Sequence, residues 1–211
     1  MNDLLNLLAS FNRKERFFLV GNALDNKSFS LGARFRSELK THADVAIPDD
    51  AWVAMDYHLD WIAAAVHLTT NKKIAATRFD NPKQHIVRGN QEDVDLIVGF
   101  GTQIDTTLIL IEAKGDTAWS KSQMSSKVKR LGEIFGTDTF VNPAIKPILI
   151  LTSPKSPVGK VGEKKWPDWM TINGTPRWMP MTLPKRRQII RCNEHGKSDR
   201  DGQHAKIIER N

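Results

Sequence analysis

Residues 94–114 read VDLIVGFGTQIDTTLILIEAK. Two apolar runs, DLIVGF and TTLILIEAK, flank the polar turn GTQID, and three charges sit within them: Asp95, Glu112 and Lys114. A charge inside so apolar a run is costly to bury unless it is paired or binds a cation. If the runs form an antiparallel hairpin turning near Gln103, Asp95 lies opposite Glu112, and directly opposed residues have Cβ atoms about 4.5–5.5 Å apart. Glu112 and Lys114 are two apart and share a strand face. The pattern therefore brings two carboxylates and an ammonium to one place. Two carboxylates with room for water form a Mg²⁺ site, and the lysine can orient a water or stabilise phosphate charge. Glu-x-Lys at a strand end is also a common ion pair at a sheet rim.

The surrounding segments extend this reading. Residues 3–11, DLLNLLASF, carry a helical apolar stripe, RKERFFLVGNAL reads as a second helix, and Ser30 is a candidate N-cap for LGARFRSELK. Residues 1–45 thus read as a helical layer. Pro48-Asp49-Asp50 reads as the start of a helix over AWVAMDYHLDWIAAAVHL, whose apolar face is Trp52, Met55, Leu59, Ile62 and Val66. In the polar stretch 69–93, IAAT and HIVR are candidate short strands, with HIVRG preceding the hairpin. After Lys114, a helix is expected from about Ser120 to Phe135, with Met124, Val128, Leu131 and Phe135 as its stripe and Gln123, Lys127 and Arg130 beside it. PILILTS, 147–153, fits a buried strand after a helical crossover.

Asp95 followed by Glu112-Ala113-Lys114 resembles the signature of the PD-(D/E)XK nuclease superfamily, the restriction-endonuclease-like fold, with Val94 where the name has proline. The resemblance covers roughly residues 50–152. It implies an α/β chain with an αβββαβ core and a mixed central sheet over 46–153. To this core the helical layer 1–45 and the basic, irregular extension 154–211 would be added. It further implies a metal-dependent nuclease acting on nucleic acid, with DNA foremost and endonuclease action ahead of exonuclease. Mg²⁺ or Mn²⁺ would be held by Asp95, Glu112 and the Ala113 carbonyl, with Lys114 beside the attacking water. Members place a glutamine in the following helix, matched here by Gln123. Many carry a further acid on the first core helix, for which Asp60 and Asp56 are candidates, with Glu38 on the preceding helix a weaker one. Glu92, at the strand entry, is a rival third acid, and Asp93 shares strand parity with Asp95. Many members are dimers, so a homodimer is admitted, although no interface stripe is legible. The alternative from another class is a catalytically idle nuclease-like fold that binds DNA or protein.

Composition is compatible with this reading. The chain has 211 residues and net charge +7. Residues 153–211 hold 13 Lys/Arg against 6 Asp/Glu, and the first 152 hold 18 of each, so the excess lies in the last quarter. Basic segments suit a polyanion, since Lys/Arg contacts to phosphate dominate nucleic-acid affinity. Lys127, Arg130, Lys164, Lys165, Arg186 and Arg187 are the candidate contacts. Trp166, Trp169 and Trp178 interleave with basic residues, a pattern that serves base stacking, a protein interface or plain burial. No apolar run reaches the roughly 18 residues of a membrane span. The single cysteine, Cys192, permits no internal disulfide and reads as a buried thiol. A cytoplasmic location is the expectation. No His pair has helical zinc spacing, and no Gly-x-x-x-x-Gly-Lys or Gly-x-Ser-x-Gly motif occurs.

Overall fold

Three helices, α1 (Asp3–Phe11), α2 (Glu15–Ala23) and α3 (Ala33–Ala43), lead into strand β1 (Trp52–His58) and helix α4 (Leu59–Thr70). The two apolar runs then form β2 (Asp93–Gly101) and β3 (Thr106–Ala113), followed by α5 (Lys121–Phe135) and β4 (Ile145–Ser153). This computed structural model describes residues 2–82, 85–90, 92–115, 117–161 and 166–210. Strands β1, β2 and β3 form an antiparallel meander, and β4 runs parallel to β3 after the α5 crossover. Past a short 3-10 turn at Asp168–Met170 come a two-residue ladder, β5 (Thr171–Ile172) with β6 (Thr175–Pro176), and then β7 (Trp178–Pro180). Strand β7 joins β4 in parallel, giving a five-stranded mixed sheet of order β1-β2-β3-β4-β7. The chain is therefore mixed α/β. The last strands, β8 (Arg186–Cys192) and β9 (His204–Arg210), pair with each other as a separate two-stranded antiparallel ribbon.

Strand alternation sorts the core onto two faces. Ile97, Leu108, Leu110, Leu149 and Leu151 point to one side, where Leu4, Leu5 and Leu8 of α1, Ile62 and Val66 of α4, and Met124 and Leu131 of α5 cover them. Val98, Ile109, Ile111 and Ile150 point to the other, against Leu39 and Ala43 of α3. Gly99 lets α1 approach closely, because a Cβ there would lie 2.5 Å from a methyl of Leu5. Trp166 and Trp169 are buried in the first core, so for these two tryptophans burial is the role observed.

Several sequence expectations require correction. The 51–68 segment is a helix only from Leu59; its first part is β1. Trp52 and Met55 fit a helical stripe, but Val53, Ala54 and Tyr57 are as deeply buried as a sheet strand requires. The resulting order places a helix between the first and second meander strands, and α3 precedes β1. No strand forms at IAAT or HIVRG. In the latter, backbone groups are taken up by side chains: Asp60 accepts from the amides of Arg88 and Gly89, and Arg130 donates to the carbonyls of His85 and Ile86. Helix α3 starts at Ala33 with Gly32 as N-cap, and Ser30 does not cap it. Residues 121–135 and 145–153 form the expected helix and strand, with Ser120 capping the helix through the Gln123 amide. Cys192 is buried.

Buried Asn2 fastens the first helix to the sheet. Its Oδ1 accepts from Leu5 N at 3.1 Å, while its Nδ2 donates to Thr102 O and Thr106 Oγ1, both at 2.6 Å. Replacing it by alanine removes an N-cap and leaves buried partners unsatisfied, so Asn2→Ala is expected to cost about 2–3 kcal/mol in urea denaturation. Asn2→Asp keeps the cap but loses the amide donors, and should recover only part of that loss.

Candidate active site

The ladder between β2 and β3 runs from Gly101 opposite Thr106 to Leu96 opposite Ile111. One step further, the register sets Asp95 opposite Glu112, on the sheet face covered by α5. Asp95 is exposed and its Oδ2 accepts the Ala113 amide at 2.6 Å. Glu112 is 2% exposed, at the end of an apolar strand. Its carboxylate is held by two ammonium groups: Lys114 at 3.2 Å from Oε1, and Lys127, from α5, on Oε2. Lys127 also donates to the carbonyl of Asp93. The sequence thus places Asp95, Glu112 and Lys114 together as expected, and the α5 stripe above them.

The other candidates fall into three groups. Glu92 is half-buried and faces the same helix. Burial raises its pKa, opposed by the charge of Lys127, a Ser126 hydroxyl hydrogen bond, and the charges of Arg130 and Arg88. Asp93 is tied to Lys14 at 2.8 Å and to His58 Nδ1 at 2.7 Å. Asp60 is buried against Arg130 at 2.8 Å and binds the 88–89 amides, so its oxygens serve the 85–89 loop. Asp56 lies on β1, between the Met55–Leu96 and Tyr57–Val94 pairs that bracket Asp95, with a φ of 50° that interrupts the ladder. Glu38 pairs with Arg34 on α3, across the sheet from Glu112, and is apart from the site. Gln123 is exposed on the first turn of α5, one turn ahead of Lys127.

The candidate nucleic-acid contacts also separate. Lys127 and Arg130 are 3% and 1% exposed. They are internal counter-charges to Glu112 and Asp60, which corrects their expected place on an open helix face. Arg186 lines a cleft beside Lys114, while Arg187 is exposed on the ribbon. Lys164 and Lys165 lie outside the described residues. Sequence reasoning missed Lys155 and Trp119, which line the same cleft. Their signal was position alone: each follows the end of a parallel strand, where α/β sheets place their ligands.

The donor set can be tested for a divalent ion. Among the described residues, no group of three or more His, Cys, Asp and Glu side chains is placed to hold a metal by itself. Among the described residues the second oxygen of Asp95 has no other partner, and Glu112 lies beside it. Mg²⁺ retains waters and is commonly bound through one or two carboxylates plus substrate phosphate. The residues fit in donor type: Asp95, Glu112 and the Ala113 carbonyl would hold such an ion. The two lysines on Glu112 balance the charge of the two carboxylates, so binding is expected to be weak until a phosphate adds negative charge. No protein-family model, curated protein or solved structure matches this chain. No helix among the described residues is long and apolar enough to cross a membrane.

Two measurements test this charge network. Arg130→Met leaves Asp60 without its counter-charge, and breaking a buried pair from one side costs about 3–5 kcal/mol. A loss below about 1 kcal/mol in urea denaturation would show that the pair does not hold the helix. For Glu92, folding favours the protonated form. Its contribution is most favourable below the unfolded value near 4.5 and declines as pH rises through the raised folded value. Glu92→Gln should therefore melt at or above wild type at pH 7, with the advantage vanishing below about pH 4.5.

Proposed function

We propose that this chain is a metal-dependent nuclease with a restriction-endonuclease-like core, hydrolysing phosphodiester bonds in nucleic acid, DNA foremost. The observation that carries the reading is the meeting of Asp95 and Glu112 on adjacent strands, with Lys114 two residues after Glu112, just past the end of β3, and bonded to it. The order of elements supports it: a helix, a three-stranded meander, a crossover helix and a parallel fourth strand, with α4 as an insertion.

In this reading Asp95, Glu112 and the Ala113 carbonyl hold Mg²⁺ or Mn²⁺. Such an ion polarises a phosphoryl oxygen and lowers the pKa of a bound water. Lys114 is the one cation of the motif that reaches both Glu112 and the open cleft, so it steadies the attacking water and the charge that develops on the phosphate. Lys127 holds the Glu112 carboxylate in place and aims it. Gln123, at the open end of α5, is within one helical turn of that lysine and serves the substrate side of the site.

A second reading has a specific observation in its favour. Both Glu112 oxygens already have ammonium partners and Asp95 caps a backbone amide, which suits a catalytically idle fold that binds nucleic acid or protein. One experiment separates the two. Purified protein is incubated with plasmid DNA and Mg²⁺ or Mn²⁺, beside Asp95→Asn and Lys114→Ala. Asp95→Asn retains an acceptor for the Ala113 amide and should fold normally. The nuclease reading expects cutting by wild type and a loss of roughly 10²–10³-fold in both variants. It also expects millimolar Mn²⁺ to raise the wild-type melting temperature, since a ligand at 100 times its Kd adds about 2.7 kcal/mol. Equal cutting by wild type and Asp95→Asn, or no cutting and no thermal shift, would sink it.

A further inference from the structure

No described residue of the β8–β9 ribbon belongs to either hydrophobic core. The ribbon is a sheet of two strands, and such a hairpin is marginal in water without a further strand or a packing partner. Its register runs from Arg186 opposite Arg210 to Cys192 opposite His204. Strand alternation gives it two unlike faces. On one, Cys192 is buried and Ile190 and Ile208 are half-buried. The other carries Arg187, Ile189 and Arg191, directly opposed by Glu209, Ile207 and Ala205, and all six are exposed. Ile189 is 72% and Ile207 62% exposed, side by side at the centre of that face. A single exposed isoleucine is ordinary. Two in register, flanked by charge, form an apolar centre with a polar rim, which is the anatomy of an interface.

We propose that this face binds a second copy of the same chain, the two ribbons stacking about a two-fold axis that runs along the strands. Such an axis exchanges the strands, so β8 of each copy lies over β9 of the other. Each residue then meets the residue type that opposes it within its own ribbon. Ile189 packs on the second copy's Ile207, Arg187 pairs with its Glu209, and Arg191 covers its Ala205. The isoleucines of both copies close into one layer, flanked by two Arg187–Glu209 pairs, and no like charges are opposed. Stacked sheets keep their strand directions within about 30° of one another, as this axis requires. A two-fold axis across the strands would instead set Arg187 against Arg191, and like charges brought together across an interface are costly. The face is thus complementary in charge to itself. It is not the uniformly cationic surface that phosphates draw, since Glu209 lies within it. A contact confined to two short strands is small, so the association is weak and reversible. The proposal does not rest on the nuclease reading.

The test is sedimentation velocity of the full chain over a micromolar to submillimolar concentration series. Wild type should pass from monomer to dimer as concentration rises. Arg187→Glu sets acid against acid across the axis, and Glu209→Arg sets base against base. Each variant alone should self-associate at least tenfold more weakly than wild type, roughly the effect of opposed like charges. Mixed in equal amounts, the two should dimerise again, because every acid then meets a base in the other copy. Damage confined to one chain would not be repaired by mixing. Wild type that stays monomeric, a dimer indifferent to Arg187→Glu, or a mixture that stays monomeric overturns the proposal. So does duplex DNA binding by a monomer, read by fluorescence anisotropy in EDTA, that Arg187→Glu weakens and Glu209→Arg strengthens; that result assigns the face to a polyanion.

Discussion

The buried carboxylate of Glu112 governs how this protein is assembled. An ionised group 2% exposed within an apolar layer would be intolerable alone, since an unpaired buried charge costs several kcal/mol. Lys127 supplies the answer from α5, and in doing so fixes that helix in rotation and height over the sheet. Three residues on, Arg130 does the same against Asp60 of α4 and holds the 85–89 loop. One helix face thus reads two buried acids on two different elements. The crossover between β3 and β4 is pinned by charge as well as by Met124 and Leu131.

This arrangement gives the site two characters. Glu112 is enclosed and rigid, its oxygens already engaged. Asp95, across the strand pair, is open to solvent and, among the described residues, linked only to the Ala113 amide. Lys114 bridges the two environments, touching the enclosed carboxylate and lining the basic cleft beyond. A reactive group on this face would therefore meet a carboxylate held by the core on one side and a cation-rich opening on the other.

Much of this was legible in the residues. The β2–β3 register follows from two apolar runs and a polar turn, and α5 follows from a 4-3-4 apolar spacing behind a serine cap. The segment 51–68 misled because Trp52, Met55, Leu59, Ile62 and Val66 satisfy a helical period across a strand and a helix joined without a loop. His58 ends one and caps the other, so no turn signal marks the junction. HIVRG has the composition of a strand, but long-range side-chain bonds from Asp60 and Arg130 use its backbone groups. Local pattern carries no trace of such a competition. Lys127 and Arg130 looked like an exposed basic stripe because their partners, Glu112 and Asp60, lie 15 and 70 residues away.

The Glu112–Lys127 pair has a consequence for how such a chain changes over generations. A substitution at Glu112 strands a lysine in the core, and one at Lys127 strands a carboxylate. Selection for folding alone therefore keeps both residues through any period in which chemistry is not under selection. Asp95 has no such protection, being exposed and replaceable by any residue that accepts one amide hydrogen bond. If the site is catalytic as proposed, loss of activity in a lineage would be recorded first at Asp95, while the interior half of the motif persists as part of the scaffold.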